Sequence, residues 1–242
     1  MQPPTMKKIM FFPVPMKGHL CHTARMAEWF LEFPEYEVHV CASADSEAFL
    51  PGGIVFHANP LFNSCSSFEK VFSAVSEGRT PLEATAILFR ENDIAGVISA
   101  TKFAIGKLIE VMPHVAVYEH ILNLGNTMYA ACTHLKIPNI RLVAMARPES
   151  AMSPLMMMRL LARYPVLTMR ALKLLGSAAS EVEPVIGRKL ISDKGEPLTL
   201  FPGAQILCEV PPKPHEIYTG PFYPLPLEVE PSSPSSPSAS GR

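Results

Sequence analysis

The chain has 242 residues, and its 21 Lys and Arg against 22 Asp and Glu give a formal net charge of -1. A balance so close to zero argues against a nucleic-acid partner, because such proteins carry a basic surface. Hydrophobic residues make up 48% of the sequence, which is too much for a disordered chain and predicts a globular protein.

The first half of the sequence alternates between strand-like and helix-like segments. We predict strands at 9–14, 36–41 and 53–57, with a helix at 19–33 after the first strand. A mostly helical segment follows at 68–109, broken near Thr80 and Pro81. A strand at 115–118, a helix at 126–135 and a strand at 140–144 complete the alternation. This order predicts an α/β fold, a Rossmann-like parallel sheet with helices on both faces.

The segment 152–176 is rich in Met and Leu and is interrupted by Pro165, which predicts two short helices. Its basic residues fall near one helical stripe with no acidic residue among them: Arg159, Arg163, Arg170 and Lys173. Two interpretations stay open. The stripe is either a face that binds a membrane surface or a partner, or the solvated side of two helices packed on the core.

A last strand is predicted at 205–208, and the composition then changes. Nine prolines lie between 211 and 237, and the final residues are a Ser/Pro tail that cannot build a core. We therefore predict a single domain over 6–227 and a disordered tail over 228–242.

The cysteines and the apolar runs indicate a compartment. The five cysteines contain no C-x-x-C pair, so neither a zinc ribbon nor a disulfide framework is indicated: Cys21, Cys41, Cys65, Cys132 and Cys208. The apolar run after Lys7 and Lys8 is short and holds prolines, which argues against a signal peptide. No run of about 18 apolar residues lacks a charge or proline, so no transmembrane segment is predicted. We expect a cytoplasmic protein.

Gly18 and His19 lie where the first strand gives way to the first helix. Ligands of open parallel sheets bind outside the carboxyl ends of the strands, so this turn is a candidate site. The helix dipole there favours the neutral imidazole that a general base needs. Glu119 directly follows the strand at 115–118 and is expected at the same sheet edge, where it could orient His19. The alternatives are a capping or surface histidine and a solvated carboxylate.

Other chemistries lack their residues. His19 and His22 have i,i+3 spacing, but no third or fourth ligand is apparent, so no metal site is predicted. There is no G-x-G-x-x-G after the first strand and no G-x-x-x-x-G-K-[ST], which removes the dinucleotide and P-loop cradles. No cofactor is expected.

Several segments together resemble the N-terminal half of a UDP-glycosyltransferase. They are IMFFPVPMKGHL at 9–20, YEVHVC at 36–41, MPHVAVYE at 112–119, LKIP at 135–138 and PPKPHEIYTGP at 211–221. The order is that of the family, and the resemblance covers about residues 8–226. It implies the acceptor-binding half of the GT-B fold, which is built from two Rossmann-like domains.

The resemblance implies inverting transfer of a hexosyl group from a UDP-sugar, a co-substrate, to a hydroxyl of a small-molecule acceptor. His19 matches the base of the family, and Glu119 falls where the family has a supporting aspartate. The resemblance also implies that Gly18 and His22 contact the bound acceptor. The family usually has proline at the position of His22 and a small or polar residue at that of Lys17.

The donor-binding signature of the family is not found in the sequence. The family has a Trp-Gln pair and a His-Cys-Gly-Trp-Asn run, whereas the single tryptophan here is Trp29, in the first helix. We therefore expect transfer to need a separate donor-binding domain, supplied by a partner chain or by self-association. The alternative is a non-catalytic acceptor-binding module or a truncated glycosyltransferase remnant. A third hypothesis adds peripheral membrane contact through the basic stripe.

Overall fold

The computed structural model describes residues 6–14, 17–60, 73–74, 76–80, 82–83, 86–87, 94–119, 124–143, 154–170, 172, 198–201 and 214–219. The strands are β1 Lys7–Phe12, β2 Tyr36–Ala42, β3 Val55–Ala58, β4 Val115–Glu119, β5 Asn139–Leu142, β6 Leu198–Phe201 and β7 Glu216–Tyr218. The helices are α1 Lys17–Leu31, α2 Ile94–Val111, α3 Leu124–Leu135 and α4 Pro154–Arg163. Residues 44–49 form a 3-10 helix, and 165–170 are also helical.

The seven strands form one sheet in the order β3-β2-β1-β4-β5-β6-β7, and every neighbouring pair is parallel. The strand order reverses between β1 and β4, since the chain first builds outward to β3 and then returns to the other side of β1. This reversal is the topological switch point at which open α/β sheets leave a crevice for ligands. The predicted α/β, Rossmann-like parallel fold is confirmed.

Apolar side chains cover both faces of the sheet, as the near-continuous hydrophobic strands require. On one face, Met10 and Tyr118 pack with Ile105 and Leu108 of α2 and with Met128 of α3. The other face carries a second cluster, which includes Ile9, Phe11, Val38, Val40 and Ala27 of α1. Alternation along each strand divides these residues between the two layers.

The strand bounds differ from the predicted ones for local reasons. β1 ends at Phe12 instead of residue 14, because Pro13 has no N–H to donate to a ladder in the middle of a sheet. β3 begins at Val55, after a turn in which Gly53 has φ +93°. The break predicted near Thr80 is present, since 77–80 are not helical.

Two short strands, β6 and β7, were not predicted from the sequence; they have four and three residues. Some of the predicted features fall on residues that the structure does not describe. The strand expected at 205–208, Lys173 and the tail at 228–242 fall outside the described ranges, so the domain boundary at 227 stays a prediction. No helix among the described residues is long and apolar enough to cross a membrane.

Candidate functional site

His19 lies in the first turn of α1, at the carboxyl edge of the sheet. α1 begins at Lys17, two residues before the histidine. The imidazole is buried, because α1 packs its Leu20, Thr23 and Ala27 side against the sheet.

Glu119 meets His19 across the switch point. It is the last residue of β4, the strand adjacent to β1, and only 2% of its surface is exposed. Its Oε2 lies 2.6 Å from Nδ1 of His19 and accepts a hydrogen bond of 3.1 Å from the Val14 amide. The glutamate therefore reaches the histidine, with the backbone after β1 as a second donor.

This contact determines which ring nitrogen carries the proton. An ionised carboxylate can only accept, so a neutral His19 donates from Nδ1 and keeps a lone pair on Nε2. No other hydrogen bond to His19 is present among the described residues. Nε2 can thus accept a proton from a bound molecule, while Glu119 stabilises the imidazolium that results. This is the arrangement of a general base with its orienting carboxylate.

The two other residues predicted at this site adjoin His19 on α1. His22 lies one helical turn further and is half-buried; burial, and secondarily the neighbouring His19, lowers the pKa of His22. Gly18 is exposed, and a Cβ added there would meet nothing within 4 Å. The structure thus brings all four predicted residues to one edge, while their catalytic and acceptor-binding roles stay predictions.

Further polar residues at the same edge were not predicted. Ser43 follows β2 and Asn59 follows β3, and both side chains are buried. Ser43 shares a 2.7 Å hydrogen bond with Ser46, and Asn59 donates to the carbonyl of Ala100 on α2. Ser43 and Asn59 come two residues after the predicted strand ends at 41 and 57, so the rule that selects Glu119 would have found them only if it were widened by one residue.

No cluster of metal ligands is found at His19 in the described part of the chain. No group of three or more His, Cys, Asp or Glu there could hold a metal ion. A cavity of about 250 Å³ lies along the second half of α1, lined by Arg25, Met26, Trp29 and Glu32. From the sequence we also expect variable loops within 57–95 and 145–190 to line the acceptor pocket, and more than half of these residues lie outside the described ranges.

The fold is that of solved glycosyltransferases. The chain is similar to the glycotransferase of kitacinnamycin, with 15% identity and a TM-score of 0.57 over 90% of this chain and 52% of that one. It is also similar to the glycosyltransferase SnogD from Streptomyces nogalater, with 16% identity and a TM-score of 0.51 over 91% of this chain and 52% of that one. No family model and no curated protein sequence matches the chain.

These similarities show that the chain has the fold of about half of each solved glycosyltransferase. The chain spans about half the length of the solved enzymes it matches. Its single described sheet accordingly corresponds to one half of a GT-B glycosyltransferase, as the sequence resemblance implied. At 15–16% identity the likeness concerns the fold alone.

Proposed function

We propose that this chain is the acceptor-binding half of a glycosyltransferase, with His19 as the base that activates an acceptor hydroxyl. The observation that carries the proposal is the 2.6 Å contact between His19 Nδ1 and Glu119 Oε2 at the switch point. The glycosyltransferase fold supports the reaction class but leaves acceptor and donor open.

The chemistry follows from the proton positions. The acceptor hydroxyl gives its proton to Nε2 of His19, and its oxygen attacks the anomeric carbon of the sugar from the face opposite the nucleotide. The bond from that carbon to the phosphate oxygen breaks, and the nucleoside diphosphate leaves with the electron pair. The configuration at the anomeric carbon is inverted. Glu119 holds the Nδ1 proton and offsets the charge that His19 gains.

In this proposal the sugar nucleotide, a UDP-sugar, is bound by a second Rossmann-like domain, on whichever polypeptide segment carries it. That domain would close over the carboxyl edge of the sheet, where His19 and Glu119 lie. Closure would exclude water from the sugar carbon and bring the donor within reach of the acceptor oxygen.

The test supplies a donor half and then removes the base. The 242-residue chain is fused through its C-terminus to the half of SnogD that it does not match. The fusion is assayed with labelled nucleotide sugars and a pool of hydroxylated acceptors. We expect transfer, and we expect His19→Ala to lower kcat by about 10²–10⁴-fold, the usual contribution of a general base. His134→Ala, a substitution on α3, is the matched control and should leave kcat unchanged.

Two further variants separate chemistry from binding. Glu119→Gln should lower kcat, because the neutral amide no longer stabilises the imidazolium. Gly18→Ala should raise KM with little change in kcat if an acceptor passes close to this open position. Transfer that survives His19→Ala would overturn the assignment of the base. Acceptor binding by a folded fusion without transfer would instead favour the non-catalytic binding module.

A further inference from the structure

Helix α4 and the residues after it turn apolar side chains toward solvent. Leu160 is fully buried and marks the inner side of α4. Leu155, Met158 and Ala162 lie roughly opposite to it at i, i+3 and i+7 spacing, and Leu155 and Met158 are 57% and 69% exposed. A helix that only packs on a core would carry polar residues on that side.

The exposed surface continues past Pro165 with the same chemistry. Val166 is 82% exposed and Met169 is 57% exposed, while Thr168 between them is fully buried. Every exposed described residue from 155 to 172 is apolar or an arginine, and we call this set the α4 surface: Leu155, Met158, Arg159, Leu161, Ala162, Arg163, Pro165, Val166, Met169, Arg170 and Leu172. A contiguous apolar surface of this kind marks an interaction site.

The charges on the α4 surface all have one sign. Arg159 and Arg163 are one turn apart on α4 and flank the apolar stripe, and no Asp or Glu occurs in the sequence from 150 to 180. Glu83 lies outside this segment but close enough to Arg163 for the two charges to interact. The pKa of Glu83 is lowered mainly by hydrogen bonds from Thr80 and, to a smaller extent, by the charge of Arg163. The α4 surface itself is therefore basic, and it differs in this from a solvated helix face, which carries charges of both signs.

We propose that the α4 surface binds the surface of an anionic lipid bilayer. A protein interface carries polar groups that form about one hydrogen bond per 100–200 Å², and the α4 surface offers none besides its arginines. A bilayer supplies hydrocarbon for the apolar side chains and phosphate or carboxylate headgroups for the arginines at the same boundary. This binding lies in the plane of the interface, and it is independent of the transfer chemistry proposed for His19.

Vesicle co-sedimentation of the full chain tests the charges. Vesicles of phosphatidylcholine alone are compared with vesicles containing 30% phosphatidylserine, at low and high salt. We expect sedimentation with the anionic vesicles that weakens at high salt. Arg159→Gln with Arg163→Gln should lower the partition coefficient about 30-fold, about fivefold for each arginine. Lys7→Gln with Arg25→Gln removes two cations elsewhere and should have no effect.

A second pair of variants tests the apolar contribution. Met158→Ser with Val166→Ser should lower partitioning by about tenfold or more, because both side chains leave water when the surface binds. Met6→Ser, at another exposed apolar residue, is the matched control. Circular dichroism of each variant checks that it is folded before the comparison is made.

Three outcomes would overturn the proposal. One is equal sedimentation of the full chain and all its variants, and another is the absence of sedimentation with anionic vesicles. The third is a dimer, seen by analytical ultracentrifugation without lipid, that the double variant Met158→Ser with Val166→Ser converts to a monomer. The α4 surface would then be an interface between two copies of the chain.

Discussion

The contact between His19 and Glu119 should be measurable as a coupling energy in protein stability. His19→Ala leaves the carboxylate of Glu119 buried, with the Val14 amide as its described donor. A hydrogen bond to a charged group contributes about 1.5–3 kcal/mol, and the imidazole also loses its packing, so we expect a loss of about 3 kcal/mol. With a urea dependence of about 2 kcal/mol per M, the unfolding midpoint would fall by about 1.5 M.

A double-mutant cycle isolates the pair. His19→Ala, Glu119→Ala and the double variant are unfolded in urea, followed by circular dichroism and by the fluorescence of Trp29, the single tryptophan. We expect a coupling of about 1.5–3 kcal/mol. Glu119→Ala itself destabilises, because the Val14 amide loses the carboxylate oxygen to which it donates.

The same helix offers a matched control. Arg25 and Glu28 form an ion pair of 2.8 Å between side chains that are each about half exposed. Exposed i,i+3 pairs contribute about 0.5 kcal/mol or less, so the Arg25→Ala and Glu28→Gln cycle should give a small coupling. A coupling below about 0.5 kcal/mol for His19 and Glu119 would refute the reasoning, because the site would then not be held in place by their contact.

Two further predictions concern buried groups. Burial is the main cause of the lowered pKa of His39 and His57, which share a 3.0 Å hydrogen bond, so the unfolded chain takes up protons first as pH falls. Stability should be complete above about pH 6.5 and decline below it, by at most about 1.4 kcal/mol per pH unit for each histidine. Thermal unfolding between pH 7.5 and 5.5 measures this slope, and the same slope in His39→Gln would contradict it. For the thiols, burial raises the pKa of Cys41 and Cys132 to about 12. A disulfide reagent at pH 8 should therefore label the exposed Cys21 and label these two only after unfolding, and mass spectrometry of native protein with label on Cys41 would contradict this.

The core strands were predictable because they are buried on both faces. Runs such as Met10, Phe11 and Phe12 are apolar without alternation, which distinguishes a central parallel strand from a half-exposed one. Their parallel pairing also followed from the alternation with helices, whereas their order in the sheet was not predicted. The ends were less predictable, because a strand ends where its partner ends or where a residue such as Pro13 cannot donate.

The site was predictable to the level of which residues meet, and no further. Glu119 and His19 are 100 residues apart, and they were joined by the shared carboxyl edge of parallel strands and by the family resemblance. Their distance depends on the register of β1 against β4, which pairs Phe12 with Tyr118 and which no pattern in either strand encodes. The role of the Val14 amide was likewise invisible, since every residue but proline has the same N–H.

One oxygen of Glu119 contacts the chain on both sides of the connection between β1 and α1. Oε2 accepts a hydrogen bond from the Val14 amide, after β1, and contacts Nδ1 of His19, in α1. The end of β4 therefore fixes the position of the first turn of α1 relative to β1. A residue inserted within α1 ahead of His19 would rotate the imidazole by about 100° around the helix axis and carry it away from the carboxylate. The number of helical residues ahead of His19 is therefore under a stronger constraint than their identity.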